Sequence, residues 1–255
     1  DEDSSQTEII VLESPFVANA QFDELVKHFN APMVEIDCTF PVDAGQRALV
    51  EGLERIRAEA EDAVRSGAGH IVLTDHHQGD DKVAMPMILA TSAVHSHLTR
   101  NGLRTFCSLS VRSAECIDPH YFAVLIGCGA TIVNAYLAED SLADRIERGL
   151  LDGTLTEAVA KYREAIDQGL LKIMSKMGIS TITSYRGAQL FEAVGQEPVS
   201  ARLRIPVPRK SARAKKNKQK ARTGQIERMA DVELRYRSIE LQPPSYYPDR
   251  APIRM

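Results

Sequence analysis

The sequence predicts an α/β fold: a parallel sheet with flanking helices, layered or forming part of a (β/α) barrel, followed by a disordered basic tail. Three observations lead there. From residue 31 to residue 184, short β-branched or apolar runs alternate with longer amphipathic ones, the pattern of parallel strands joined by helical crossovers. The core must be aliphatic, since 44% of the residues are hydrophobic but only 5% are aromatic and none is Trp. Charge is divided along the chain: residues 1–195 carry 16 Lys/Arg against 29 Asp/Glu, net −13, and residues 196–255 carry 15 against 6, net +9. An acidic body and a basic tail are therefore treated as two regions, 1–195 and 196–255.

The elements follow in order. The first dozen residues read as frayed, and Ser14-Pro15 marks a turn. Phe22, Leu25, Val26 and Phe29 fall at helical spacing, predicting a helix over 19–29. The run "APMVEIDCTF" predicts a strand over 31–40. Residues 44–67 form a long amphipathic helix with Leu49, Leu53, Ile56, Ala60 and Val64 on its apolar stripe and Gly67 at its end. "HIVLTD" at 70–75 reads as a buried parallel strand. A helix follows from Pro86 to Gly102, then a strand over 103–113. Asp118 and Pro119 open a buried helix that Gly127 and Gly129 close. "ATIVNAY" is the next strand, and helices are expected over 141–150 and 154–176. "ISTITS" at 179–184 is expected as the last strand and "GAQLFEAV" as the last helix. Four or five strands fall short of the eight that a complete TIM barrel requires.

The tail has a different texture. "RKSARAKKNKQKAR" holds eight basic residues in fourteen and no Leu, Ile, Val or Phe, so it cannot bury enough apolar area to offset its ordering entropy. Phosphate neutralisation by this arm gives an alternative function, a repurposed α/β scaffold that binds nucleic acid. The dense part lacks interleaved aromatics, which counts against base stacking and makes nucleic acid the weaker partner reading.

The motifs are sparse. "TDHHQGDD" lies just past the carboxyl end of an expected strand, where ligands of α/β folds gather. His76 and His77 are adjacent and diverge, so a metal would need Asp80 or Asp81 as well, and a polar helix-capping loop is the plainer reading. His95 and His97 stand two apart on a helix and cannot share one metal; one is expected to face the core and the other solvent. "LIGCGA" ends a helix where a dinucleotide fingerprint would open one. Cys38, Cys107, Cys116 and Cys128 show no C-x-x-C spacing and read as buried thiols of a reducing cytoplasm. No basic n-region opens the sequence, and no apolar run reaches the ~18–20 residues of a membrane span. "SYRGAQ" follows an expected strand and precedes an expected helix, so Arg186 and Gly187 with free helix-start amides are the anion-binding candidates. No residue is assigned a catalytic, cofactor-binding or metal-binding role.

Long runs in fixed order carry a resemblance. The stretch from "LTDHHQGDDKVAMPMILATSAV" through "HYFAVLIGCGATIVNAYLAED" resembles the central domain of the large subunit of bacterial glutamate synthase. So do "GLLKIMSKMGISTITSYRGAQLFEAVG", "LESPFVANAQF" and "EIDCTFP", which extends the similarity from Leu12 to Gly195. The resemblance implies a parent enzyme that turns glutamine and 2-oxoglutarate into two glutamates. Its amidotransferase domain releases ammonia, which a tunnel delivers to a synthase domain carrying FMN and an iron–sulfur cluster. The central domain links the two and is similar in topology to the flavin domain. The partners so implied are those two domains and, further, a small subunit. Asp1 cannot replace an N-terminal nucleophilic Cys, and clustered cluster-binding cysteines are lacking. The chain is therefore expected to be inactive alone, with no cofactor of its own. From Gln196 onward the sequence departs from the family pattern, as a truncated, frame-shifted or fused reading frame, or a fragment, would.

Overall fold

The computed structural model describes residues 10–28, 32–42, 45–188 and 190–191. The basic tail, its predicted disorder and half of the last predicted helix lie outside the described residues. The sheet is parallel, as expected, with four strands: β1 (Met33–Asp37), β3 (His70–Thr74), β5 (Ser108–Arg112) and β6 (Ile132–Asn134), in the spatial order β1-β3-β5-β6. Between them run α2 (Gly45–Arg65), α3 (Met87–Arg100) and α4 (Pro119–Gly127), while α1 (Asn19–His28) precedes the sheet. After β6 come α5 (Tyr136–Glu147), α6 (Leu155–Met177) and a single turn, α7 (Ile182–Tyr185).

Register divides the sheet into two unlike faces, because side chains alternate with period two. One face aligns Val34 with Ile71, Leu109 alongside Ile71, and Ile36 with Leu73, Val111 and Val133. It is aliphatic throughout, and α2, α3 and α4 pack on these strands. The other face aligns Glu35 with Val72, Ser110 and Ile132, and Asp37 with Thr74, Arg112 and Asn134. This polar face is covered by α1, whose Phe22 joins Val17, Val72 and Ile132 in a buried cluster flanked by Leu25 and Val26. One apolar and one mixed face is the division expected of a barrel wall, with α1 lying where the lumen would be.

Three sequence expectations are corrected. The single strand predicted over 31–40 is broken at Cys38. Its second part, β2 (Thr39–Pro41), turns away to pair antiparallel with β4 (Lys82–Ala84), a stretch to which the sequence pattern assigns no strand. Helix α5 begins at Tyr136, five residues earlier than expected, because β6 is only three residues long. The third correction concerns "ISTITS", which forms the turn α7 and no strand. The edge of β6 that a further strand would need is already taken. Phe16 bridges Val133 in parallel, Val17 N–H donates to Val133 O at 3.0 Å, and Val133 N–H donates to Pro15 O at 2.8 Å. β-propensity is realised only where an unpaired edge is present.

Helix α6 carries the best-defined ends. Thr154 Oγ1 accepts from Glu157 N–H at 3.3 Å while the Glu157 carboxylate accepts from Thr154 N–H at 3.0 Å, a reciprocal capping box, and the helix stops at Gly178. Thr154→Ala is expected to lower the unfolding free energy by about 1 kcal/mol. Urea titration should show the midpoint falling at unchanged slope, and Thr154→Ser should restore it.

Candidate functional site

The carboxyl ends of the strands hold the most polar cluster. β3 is a buried run, so the chain leaves it at Asp75 with the carboxylate turned inward and fully buried. Both carboxylate oxygens accept from Ala114 N–H, at 3.1 and 2.9 Å. Ser113 Oγ donates at 3.2 Å and the Tyr136 hydroxyl at 2.9 Å. Burial pushes the carboxyl above its ordinary range, and these donors pull it part of the way back. Asp75 thus fastens the end of β3 to the end of β5 and the start of α5. The sequence reading passed over it for the histidines beside it; the available signal was an acidic residue closing a wholly apolar strand.

The neighbouring side chains are occupied too. The Arg112 guanidinium lies 5.5 Å from the Phe22 ring centre and 5.8 Å from that of Tyr136, and its Nε donates to Asn134 Oδ1 at 3.2 Å. Asn134 Nδ2 donates to Val17 O and to Asn19 Oδ1, both at 2.9 Å. Glu115 accepts from Met87 N–H at 3.1 Å and from the Tyr121 hydroxyl, which joins the start of α3 to α4.

His76 and His77 diverge as expected. His76 packs on Tyr136 with ring centres 5.0 Å apart, and His77 Nε2 lies 3.0 Å from Glu35 Oε1. Among the described residues no three His, Cys, Asp or Glu side chains come together in a way that could hold a metal, so Asp80 and Asp81 complete no such set.

The other candidates meet at the opposite, amino end of the strands. His95 lies between two glycines. A Cβ at Gly129 would stand 2.2 Å from His95 Nδ1, and one at Gly187 would stand 2.8 Å from Nε2. Arg104 Nε–H donates to His95 Nδ1 at 3.1 Å, which places the ring proton on Nε2. The same guanidinium donates to Cys107 O at 2.6 Å and to Gly129 O at 2.9 Å, clamping the starts of β5 and β6 to α3. Burial, followed by the Arg104 and Arg186 charges, lowers the His95 pKa to about 4. His97 is half-buried as well, so the expected core-and-solvent split is corrected. Its Nε2 lies 2.6 Å from Glu61 Oε2 and its Nδ1 lies 3.1 Å from Arg57 Nη2, a staple between α2 and α3. Gly127 ends α4, and Gly129 turns the chain with φ +118°, as the helix-end reading required.

Arg186 and Gly187 do not open a helix, so the free amides invoked from the sequence are not there. Arg186 caps the end of α7, and Gly187 takes φ +67° in the turn after it. The turn brings Gly187 against His95.

The cofactors implied by resemblance do not fit this set of residues. Cys38, Cys107 and Cys116 are buried and Cys128 is half-buried, all as free thiols. Burial raises all four thiol pKa values, that of Cys128 to about 12, the reverse of what a thiolate ligand needs. At the carboxyl ends, where a flavin phosphate would sit, the side chains of Asp75, Ser113, Asn134 and Tyr136 are bonded to one another or to the backbone. Among the described residues no helix is long and apolar enough to cross a membrane.

Beside α1 and α6 the surface is apolar. One groove of about 320 Å³ is lined by Val11, Leu12, Phe16, Leu25 and Arg163, and another of similar volume by Phe16, Leu155, Val159 and Ala160. Val11 is 82% exposed.

A family model described as the glutamate synthase central domain matches residues 1–197. The large chain of NADPH-dependent glutamate synthase from Azospirillum brasilense is 57% identical over 196 residues, covering 76% of this chain and 13% of that one. The corresponding large chain from Bacillus subtilis is 43% identical over 188 residues, covering 73% of this chain and 12% of that one. Ferredoxin-dependent glutamate synthase 2 of Synechocystis is 38% identical over 200 residues, covering 73% and 13%. The chain therefore spans about an eighth of the length of the curated relatives it matches.

Proposed function

Since the chain belongs to the glutamate synthase central domain family, we propose that its body serves as the connecting domain of a glutamate synthase large chain. In that setting it holds an amidotransferase domain and an FMN- and iron–sulfur-bearing synthase domain in register, while glutamine and 2-oxoglutarate become two glutamates. The observation that carries this reading is the 57% identity running across 196 residues, beside a family match over residues 1–197. The arrangement of the polar groups supports it. Asp75, Arg112 and Asn134 are spent on cross-links, which suits a rigid spacer. A spacer contributes by holding two sites at a fixed short distance, so that an intermediate released at one is concentrated at the other. The grooves beside α1 and α6 supply apolar surface of the kind that neighbouring domains cover.

The boundary belongs to the same reading. The family match ends at residue 197, two residues past the division proposed here between the body, 1–195, and the stretch 196–255.

A graft tests the connecting role. Residues 12–195 replace the matching segment of the Azospirillum brasilense large chain. Glutamine-dependent glutamate formation is expected to survive the graft, while the purified chain by itself shows neither glutamine hydrolysis nor flavin absorbance. A well-folded graft in which both half-reactions persist but glutamine no longer drives synthesis would overturn the reading, as would turnover by the purified chain.

A further inference from the structure

The amino end of the sheet carries a charge that nothing in the described body balances. Arg104 and Arg186 both act on His95, and Arg186 also lowers the Arg104 pKa, so the two guanidiniums share one neighbourhood. Neither forms an ion pair among the described residues. Arg104 spends its donors on His95 and on two carbonyl groups. The half-buried Arg186 side chain makes no hydrogen bond among the described residues, and its Nε is enclosed without an acceptor. Desolvating a guanidinium with no counter-charge is costly, which marks this one as waiting for a partner.

Gly187, which directly follows Arg186, lines a cavity of about 50 Å³ together with Ser92, His95, Ser96, Gly127, Cys128 and the Phe191 ring. No acidic side chain lines it. Ser96 is 5% exposed, and its hydroxyl has no partner among the described residues. The His95 proton is on Nε2, the nitrogen facing Gly187, because Arg104 donates into Nδ1. The wall therefore offers hydrogen-bond donors and a nearby positive charge. A water needs roughly 10–15 Å³ of such space, so there is room for a group of a few heavy atoms. Guanidinium with hydroxyl and imidazole donors is chemistry that recognises carboxylate and small oxyanions.

We propose that this cavity binds a small carboxylate or oxyanion, with Arg186 supplying charge and Ser96 and His95 Nε2 supplying hydrogen bonds. The site sits at the opposite end of the strands from the Asp75 cluster and does not depend on the connecting role.

The test uses the full chain, isotopically labelled, titrated separately with sodium formate and sodium phosphate at ionic strength held constant with potassium chloride. Either anion, or both, is expected to shift the His95 ring and Gly187 amide resonances saturably. The stronger binder identifies the preferred source, a carboxylate or a phosphate. Arg186→Gln should weaken binding at least about tenfold, the loss of one charge-assisted contact. It should leave circular dichroism unchanged, because that side chain makes no hydrogen bond or ion pair among the described residues. Ser96→Ala should weaken binding several-fold, and His77→Gln should leave it unaltered. No saturable shift with either anion, or equal saturation in Arg186→Gln, would overturn the proposal whatever the outcome of the graft.

Discussion

Asp75→Ala is expected to destabilise the isolated chain by about 3–5 kcal/mol, because it strips a common acceptor from three donors in a dry environment. Ala114 N–H, Ser113 Oγ and the Tyr136 hydroxyl all point at that carboxylate. Removing it leaves each of them buried without a replacement. A domain of this size is held by about 5–15 kcal/mol, so roughly a fifth or more of its stability is at stake. Urea denaturation followed by circular dichroism would measure the loss. Tyr136→Phe, which removes one donor and leaves the carboxylate satisfied by the others, should cost only about 1 kcal/mol. Equal losses for the two variants would mean that Asp75 is not the hub.

The sign of the pH dependence follows from the raised carboxyl. The folded protein takes up this proton at a higher pH than the unfolded chain does. The contribution is therefore complete below the ordinary carboxylate range and is lost as pH rises through the folded value. Asp75→Asn cannot titrate. The gap between the parent chain and Asp75→Asn should accordingly widen in favour of the parent as pH is lowered from 7 toward the carboxylate range.

The second large effect is Gly129→Ala, expected to cost about 3–4 kcal/mol or to prevent folding altogether. Two penalties combine. At φ +118° an L side chain is strained, and the new methyl would lie 2.2 Å from His95 Nδ1 and 2.9 Å from His95 Cβ. The ring cannot retreat, since Gly187 stands on its far side and Arg104 holds Nδ1. Gly67→Ala separates the two terms. Gly67 has φ +95° with nothing within 4 Å of a Cβ, so only backbone strain remains, about 1 kcal/mol. A thermal midpoint for Gly129→Ala no lower than that for Gly67→Ala would refute the steric argument.

Much of this architecture could be read from local pattern. The apolar stripe of α2, the Asp118–Pro119 start of α4 and the buried run of β3 each follow from spacing and capping, which act over a few residues. What escaped depends on contacts far apart in the chain. "ISTITS" has the composition of a strand, but whether it becomes one is decided by Pro15–Val17, which occupy the edge it would need. The two-faced sheet was nearer to legible. In "SLSVR" polar residues alternate with Leu109 and Val111, and that alternation foretells one wet and one dry face. At the sites the histidines drew attention because their chemistry is versatile. Asp75 was missed because nothing local says that three donors converge on it. Arg186 stands out in the sequence for helix-start amides that Gly187 and Ala188 do not supply, whereas its unbalanced charge beside His95 is visible only once α3 and α7 are brought together.

The pairing of the Pro15–Val17 segment with β6 also governs the order in which the domain can be completed. Asn134 and Val17, joined by a hydrogen bond, are separated by 117 residues. During synthesis the Pro15–Val17 segment must wait, unpaired, until the fourth strand of the sheet has left the ribosome. Such high contact order slows folding and exposes the waiting residues to aggregation. Shortening that wait by circular permutation, with residues 10–28 moved to follow α6, should speed refolding without altering the final sheet.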